Sequence, residues 1–131
     1  DLSHITDTLK NELIKIPYEM IPKMIEAVHF NDEKPENKNI SLSNIRDNKV
    51  KIYSEKGWVY KDKLETITDL VEGKYFILEN FYEKNTDDLD GENKTNYVKF
   101  REFFNADDKE LVTALKKKCE LVLVNNRQNK N

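Results

Sequence analysis

Apolar residues recur at helical spacing along most of the chain and alternate only in a central stretch. Leu9, Leu13 and Ile16 fall on one face of residues 6–16 and predict an amphipathic helix. The Thr6 hydroxyl stands where it can cap that helix. Pro17 stops or bends the chain. Met24, Ile25 and Val28 predict a second helix over 22–30, with Pro22 at its first position, where a missing N–H costs nothing. A polar loop carrying Pro35 follows, and then the period changes to two. Ile40 and Leu42 share one side of segment 40–45, and Val50 and Ile52 share one side of 49–53. Residues 58–61 make a third short strand. Arg46-Asp47-Asn48 and the segment Ser54 to Gly57 supply turn chemistry between them. Three consecutive strands with tight turns predict an antiparallel meander.

Helical periodicity then resumes. Asp62 followed by Glu65, and Asp107 followed by Glu110, read as capping boxes. The first opens a helical region lined by Leu64, Ile67, Val71, Leu78 and Tyr82, with Gly73 in its middle as a point of division. Residues 86–92 form an acidic loop. Tyr97, Phe100 and Phe104 stripe a helix over 93–104. The last helix runs to about residue 125, with Leu111, Leu115, Cys119 and Val122 on its main face. Leu121, Leu123 and Val124 make its end apolar all round, which marks burial or a partner contact. The fold class is therefore α+β: a small three-stranded antiparallel meander flanked by about five helices. One domain is expected over 1–126, with a flexible tail at 127–131.

Composition narrows this picture. Within 131 residues, 37% are hydrophobic, 10% aromatic and 36% charged. The charge is high, but the aromatic side chains can supply a core. Net charge is −3, so the chain has no overall basic footprint for nucleic acid. The distribution is uneven: 64–92 is acidic, while 40–63 leans basic. Solvated helix faces account for most of this, but a basic strand face can also meet phosphate or an acidic partner. Cys119 is the single cysteine, which excludes an internal disulfide and suits a reducing compartment. No apolar run reaches membrane-spanning length. The chain opens on Asp1 and not Met, and is expected to be a segment of a longer protein.

Candidate chemistry is sparse. Trp58 and Tyr60, or Trp58 and Tyr53, can stack bases on an open sheet beside Arg46, Lys49, Lys51 and Lys61. The plainer expectation is that Trp58 packs against the helices and locks the meander to them, with edge lysines opposing strand-to-strand aggregation. His29-Phe30-Asn31 followed by Pro35-Glu36-Asn37 is similar to the histidine and asparagine usage of HNH-type nucleases, where histidine activates water near a divalent metal. No second histidine lies nearby. The plainer reading has His29 finishing a helix, with Asn31, Asn37 and Asn39 bonding loop backbone. Asp87, Asp88, Asp90 and Glu92 do not have EF-hand spacing. Lys116-Lys117-Lys118 suits a solvated helix face near a C-terminus. There is no P-loop, no dinucleotide fingerprint and no nucleophile elbow. No catalytic residue, metal ligand set or cofactor is expected.

One resemblance spans nearly the whole chain. It is carried by Asp1-Leu2-Ser3-His4-Ile5-Thr6-Asp7, His29-Phe30-Asn31, Pro35-Glu36-Asn37, Asn39-Ile40, Ser43-Asn44-Ile45 and Trp58. Thr68-Asp69-Leu70 and Leu123-Val124-Asn125-Asn126-Arg127 complete it. In this order the chain resembles the C-terminal region of a family encoded by mimivirus-like giant viruses. Those proteins pair an N-terminal Cys-Cys-His-His zinc finger and a coiled coil with a domain of this kind. Lys38 stands where many relatives have His, which weakens any need for a second histidine in the Pro-Glu-Asn loop. Residues 17–21 are longer or more apolar than usual. The resemblance implies a virus-encoded protein inside the infected cell, in cytoplasm or viral factory. It implies nucleic-acid association of the full-length protein, and no known reaction.

The leading expectation is a non-enzymatic protein-interaction module, self-associating through Leu121, Leu123 and Val124, with a protein partner or a second copy and no membrane. The alternative is direct nucleic-acid binding through Arg46, Lys49, Lys51, Trp58, Tyr60 and Lys61. A metal-dependent nuclease centred on His29 comes third.

Overall fold

A computed structural model describes residues 1–127. The expected loose tail lies, except for Arg127, outside the described residues. The fold is α+β, with five helices and a three-stranded antiparallel sheet among the described residues. Helix α1 (Asp7–Ile14) is capped as expected, the Thr6 hydroxyl accepting from the Leu9 N–H at 3.1 Å. Helix α2 spans Pro17–His29, five residues earlier in the chain than Pro22 would have it. Pro17, and not Pro22, takes the first position; its fixed φ suits that place, and Ile16 before it is held out of helical geometry. Pro22 lies inside the helix, where its ring is buried with the apolar face.

Helix α2 is the centre of the molecule. Met20, Ile21, Met24 and Ile25 are all fully buried. Around it pack α1, α3 (Lys63–Asn85), α4 (Gly91–Asn105) and α5 (Lys109–Asn125). Leu78 from α3, Tyr97 and Phe100 from α4, and Leu115, Cys119 and Leu123 from α5 complete the same core. Tyr82 stacks on Tyr97 at 3.8 Å between ring centres. The Tyr97 hydroxyl donates to Glu79 at 2.8 Å, and Arg101 bridges Glu79 and Glu83, so the α3–α4 contact is closed by a satisfied polar rim.

Helix starts follow side-chain acceptors. Asp62 accepts from Glu65 N–H at 2.9 Å, and Asp90 accepts from Asn93 N–H at 2.8 Å, starting α4 two residues before the expected position. At α5 the cap is Asp108 and not Asp107, accepting from Leu111 N–H at 3.0 Å. Asp107 instead makes the turn, with a left-handed φ of 53° that aspartate tolerates better than most residues.

The sheet is built of β1 (Ile40–Ser41), β2 (Lys49–Ser54) and β3 (Gly57–Asp62), in the order β1-β2-β3. Strand β1 is shorter than the alternation over 40–45 suggests. Asn44 turns the chain soon after it: its side chain accepts from Arg46 N–H at 2.9 Å, and its carbonyl accepts from Asp47 N–H at 3.0 Å. Ile40, Leu42 and Val50 join the helical core, so the buried apolar residues make one continuous cluster. None of the described helices is long and apolar enough to cross a membrane.

Gly73 does not divide α3, which runs unbroken from Lys63 to Asn85. The residue is exposed, and a Cβ added there meets no atom within 4 Å. Gly73→Ala is therefore expected to stabilise the fold by about 1 kcal/mol, the difference in helix propensity, read as a raised urea midpoint at constant slope.

Candidate functional site

The register of the hairpin decides which side chains share a surface. Tyr53 pairs with Trp58, Lys51 with Tyr60, and Lys49 with Asp62. Directly opposed residues point to the same side of a sheet. Lys49, Lys51, Tyr53, Trp58 and Tyr60 thus form one face, and Val50, Ile52, Val59 and Lys61 the other. Val50 is buried, and Ile52 packs against the core. The opposite face is open: Tyr53 is 56% exposed, Trp58 41% and Tyr60 67%.

This corrects the expectation that Trp58 locks the meander to the helices. Alternation places Trp58 and Val59 on opposite faces, and the smaller residue faces inward. The exposed aromatics are ordered against each other and not against the core. Tyr53 and Trp58 meet edge-on with ring centres 5.4 Å apart. Lys51 Nζ lies 5.8 Å from the centre of the Tyr60 ring, a cation–π contact. Of the six residues expected to form a nucleic-acid surface, Lys49, Lys51, Trp58 and Tyr60 are brought together. Lys61 belongs to the other face, and Arg46 lies in the turn between β1 and β2. Tyr53, the alternative stacking partner of Trp58, lies on the same face.

The candidate interaction residues of α5 separate. Leu123 is fully buried and Val124 is 9% exposed, both within the protein's own core, while Leu121 is exposed. Burial against α2 is thus the reason the end of α5 is apolar nearly all round.

His29 has a structural post. Its Nδ1 lies 3.1 Å from the Asn37 carbonyl oxygen and 3.1 Å from Asn39 Oδ1. Both are acceptors, so Nδ1 carries the proton. Nε2 then accepts from Lys74 Nζ at 3.1 Å. Both ring nitrogens are engaged, and the imidazole joins the end of α2, the 31–39 loop and α3. Burial, with the Lys74 charge adding to it, lowers the His29 pKa to about 4. Burial also lowers that of Lys74. The other loop asparagines serve the backbone: Asn31 Oδ1 accepts from Glu33 N–H at 2.8 Å, and Asn37 Nδ2 donates to the Asp1 carbonyl. His4 sits across from this junction, its Nε2 donating to the Ala27 carbonyl at 2.8 Å.

Cys119, Asp90 and Lys118 have structural places. Cys119 is fully buried, and burial pushes its thiol up to about 12, far from thiolate reactivity at neutral pH. Asp90 is spent on the α4 cap. Lys118 pairs with Glu19 and ties α5 to α2. No cluster of three or more His, Cys, Asp or Glu side chains among the described residues could hold a metal ion.

The His29 environment gives a pH dependence with a definite sign. Above its unfolded value of 6.5 the ring is neutral in both states, and its contribution to stability is complete. Between 6.5 and about 4 the unfolded chain takes up a proton that the folded chain refuses, so stability falls as pH falls. The loss amounts to about 2–3 kcal/mol over that window. In urea titrations at pH 7 and pH 4.5, His29→Gln should lose less stability on acidification than the wild type by about this amount, the carboxylate contributions being common to both.

In comparisons with known proteins, no family model, no curated protein and no solved structure matches this chain.

Proposed function

We propose that this domain is a binding module whose ligand is single-stranded nucleic acid, held on the open face of the sheet. The observation that supports the reading is one register-fixed face with Tyr53, Trp58 and Tyr60 exposed beside Lys49 and Lys51. Exposed large apolar side chains cost solvation, and three together call for a partner. Bases stack on aromatic faces whatever their identity, and lysines supply phosphate contacts. The basic lean of residues 40–63 supports the same ligand. Protein interaction through α5 is the weaker reading, because Leu121 is the exposed member of its three residues. By resemblance alone, the proposal extends to a virus-encoded protein in the infected cell, where this face would add to contacts made by zinc fingers elsewhere in the full-length chain.

Labelled oligo(dT) titrated with the protein at low salt should show a rise in fluorescence anisotropy. Trp58 is the sole tryptophan, so its emission should be quenched in step. With Lys49 and Lys51 as the phosphate contacts, the log–log salt slope should be about −1.4, and Lys51→Ala should reduce it by about 0.7. Trp58→Ala should weaken binding by about 1–3 kcal/mol. No anisotropy change at low salt, or binding that survives Trp58→Ala undiminished, would sink the reading.

A further inference from the structure

The edge of the sheet offers a second surface, made of peptide groups and not of side chains. The two-residue turn Glu55-Lys56 closes the hairpin on the pair Ser54 and Gly57. In such a hairpin the closing pair exchanges ladder bonds, and so does every second pair beyond it. Val59 and Lys61 therefore bond β2. The same phase continues past the strand, where Lys63 N–H donates to the Asn48 carbonyl at 2.8 Å. Trp58 and Tyr60 must turn their N–H and C=O groups the other way, to the side of β3 on which no strand lies. Among the described residues neither has a backbone partner there, and no strand lies on that side.

Proteins guard such edges with proline, bulges, very short strands or charge. Strand β3 is six residues long, contains no proline and keeps an unbroken register with β2. Its guards are Lys61 and Asp62.

We propose that β3 pairs with β3 of a second copy of this chain, antiparallel and centred on Val59. In that register Trp58 of one copy and Tyr60 of the other exchange ladder bonds, using the groups already turned outward. Val59 lies opposite Val59. Lys61 meets Gly57, whose missing side chain leaves room for the lysine stem. Lys56 meets Asp62, an opposite-charge pair. The guards thus become complementary contacts. The neighbouring register, centred on Tyr60, sets Lys61 against Val59 and Trp58 against Asp62, and loses both advantages. Pairing about Val59 also joins the two aromatic faces into one strip. It uses a different surface from the nucleic-acid reading and is tested without nucleic acid.

Sedimentation velocity from micromolar to near-millimolar protein should show a monomer passing to a dimer and no larger species. Tyr60→Pro removes the outward N–H and leaves the bonds to β2 intact, so it should stay monomeric throughout the range. Tyr60→Ala keeps that N–H and should still dimerise. Amide hydrogen exchange in the wild type gives an independent reading if the proline variant fails to fold. Trp58 and Tyr60 amides should exchange quickly in dilute protein and gain protection in concentrated protein, while Val59 and Lys61 are protected in both. A wild type that stays monomeric, a dimer in which Trp58 and Tyr60 gain no protection, or a folded Tyr60→Pro that still dimerises would overturn the proposal. So would an edge that takes up an extended foreign peptide while the protein alone stays monomeric.

Discussion

The structure depends on the burial of the broad apolar face of α2. Four of its side chains have no solvent contact, and each of the other helices lies against it. The stripe of Glu19, Lys23 and Glu26 stays in water, so the positions of α1, α3, α4 and α5 follow from the need to cover the wide apolar remainder. Its end is fixed as firmly as its face. His29 holds the 31–39 loop and Lys74, and His4 reaches Ala27 from the N-terminal segment. The loop leaves α2 in a set direction, and that direction delivers Ile40 and Leu42 to the core. The sheet is thus placed by the helix that precedes it.

Several groups that elsewhere carry chemistry are instead tied into the fold. The two histidines bond backbone carbonyls, Asp62, Asp90 and Asp108 cap helices, and the cysteine fills space. At the surface, the hairpin gathers three exposed aromatics on one face. Its outer face carries large apolar area that no part of the described chain covers, and its outer edge carries unused hydrogen-bonding groups. Both are binding features, one directed at flat rings and phosphate, the other at a strand.

Much of the fold could be read from the residues because local signals were strong. Thr6 and Asp62 are caps that act over three residues, and the alternation around Val50 carries its own phase. The errors lie where two local signals compete or where a distant contact decides. Pro17 and Pro22 both suit a helix start, and the choice of Pro17 places Pro22 in the buried interior of α2. Gly73 weakens a helix, but α3 is held by Ile67, Val71, Leu78 and Tyr82 on both sides of it. Asn44 makes an Asx turn inside the stretch whose alternation suggests a strand, and alternation cannot register it. Trp58 was misjudged because period two gives two faces without saying which is covered, and side-chain size is a poor guide to that. The same ambiguity ran the other way at Leu123 and Val124, which look like an interface until α2 is in place.

The junction of β3 with α3 has a mechanical side. Asp62 is the last residue of the strand and the cap of the helix, so there is no spacer between them. Lys63, the first helical residue, is held at its N–H by Asn48, and its ammonium reaches the Ile45 carbonyl and Glu120, each at 2.8 Å. The hairpin is in effect a handle welded to the longest helix. Strand and helix are thus continuous, and Lys63 ties their junction to the α5 helix that Glu120 belongs to. A ligand seated on the hairpin is therefore joined to α3 by the chain itself and to α5 by one ion pair.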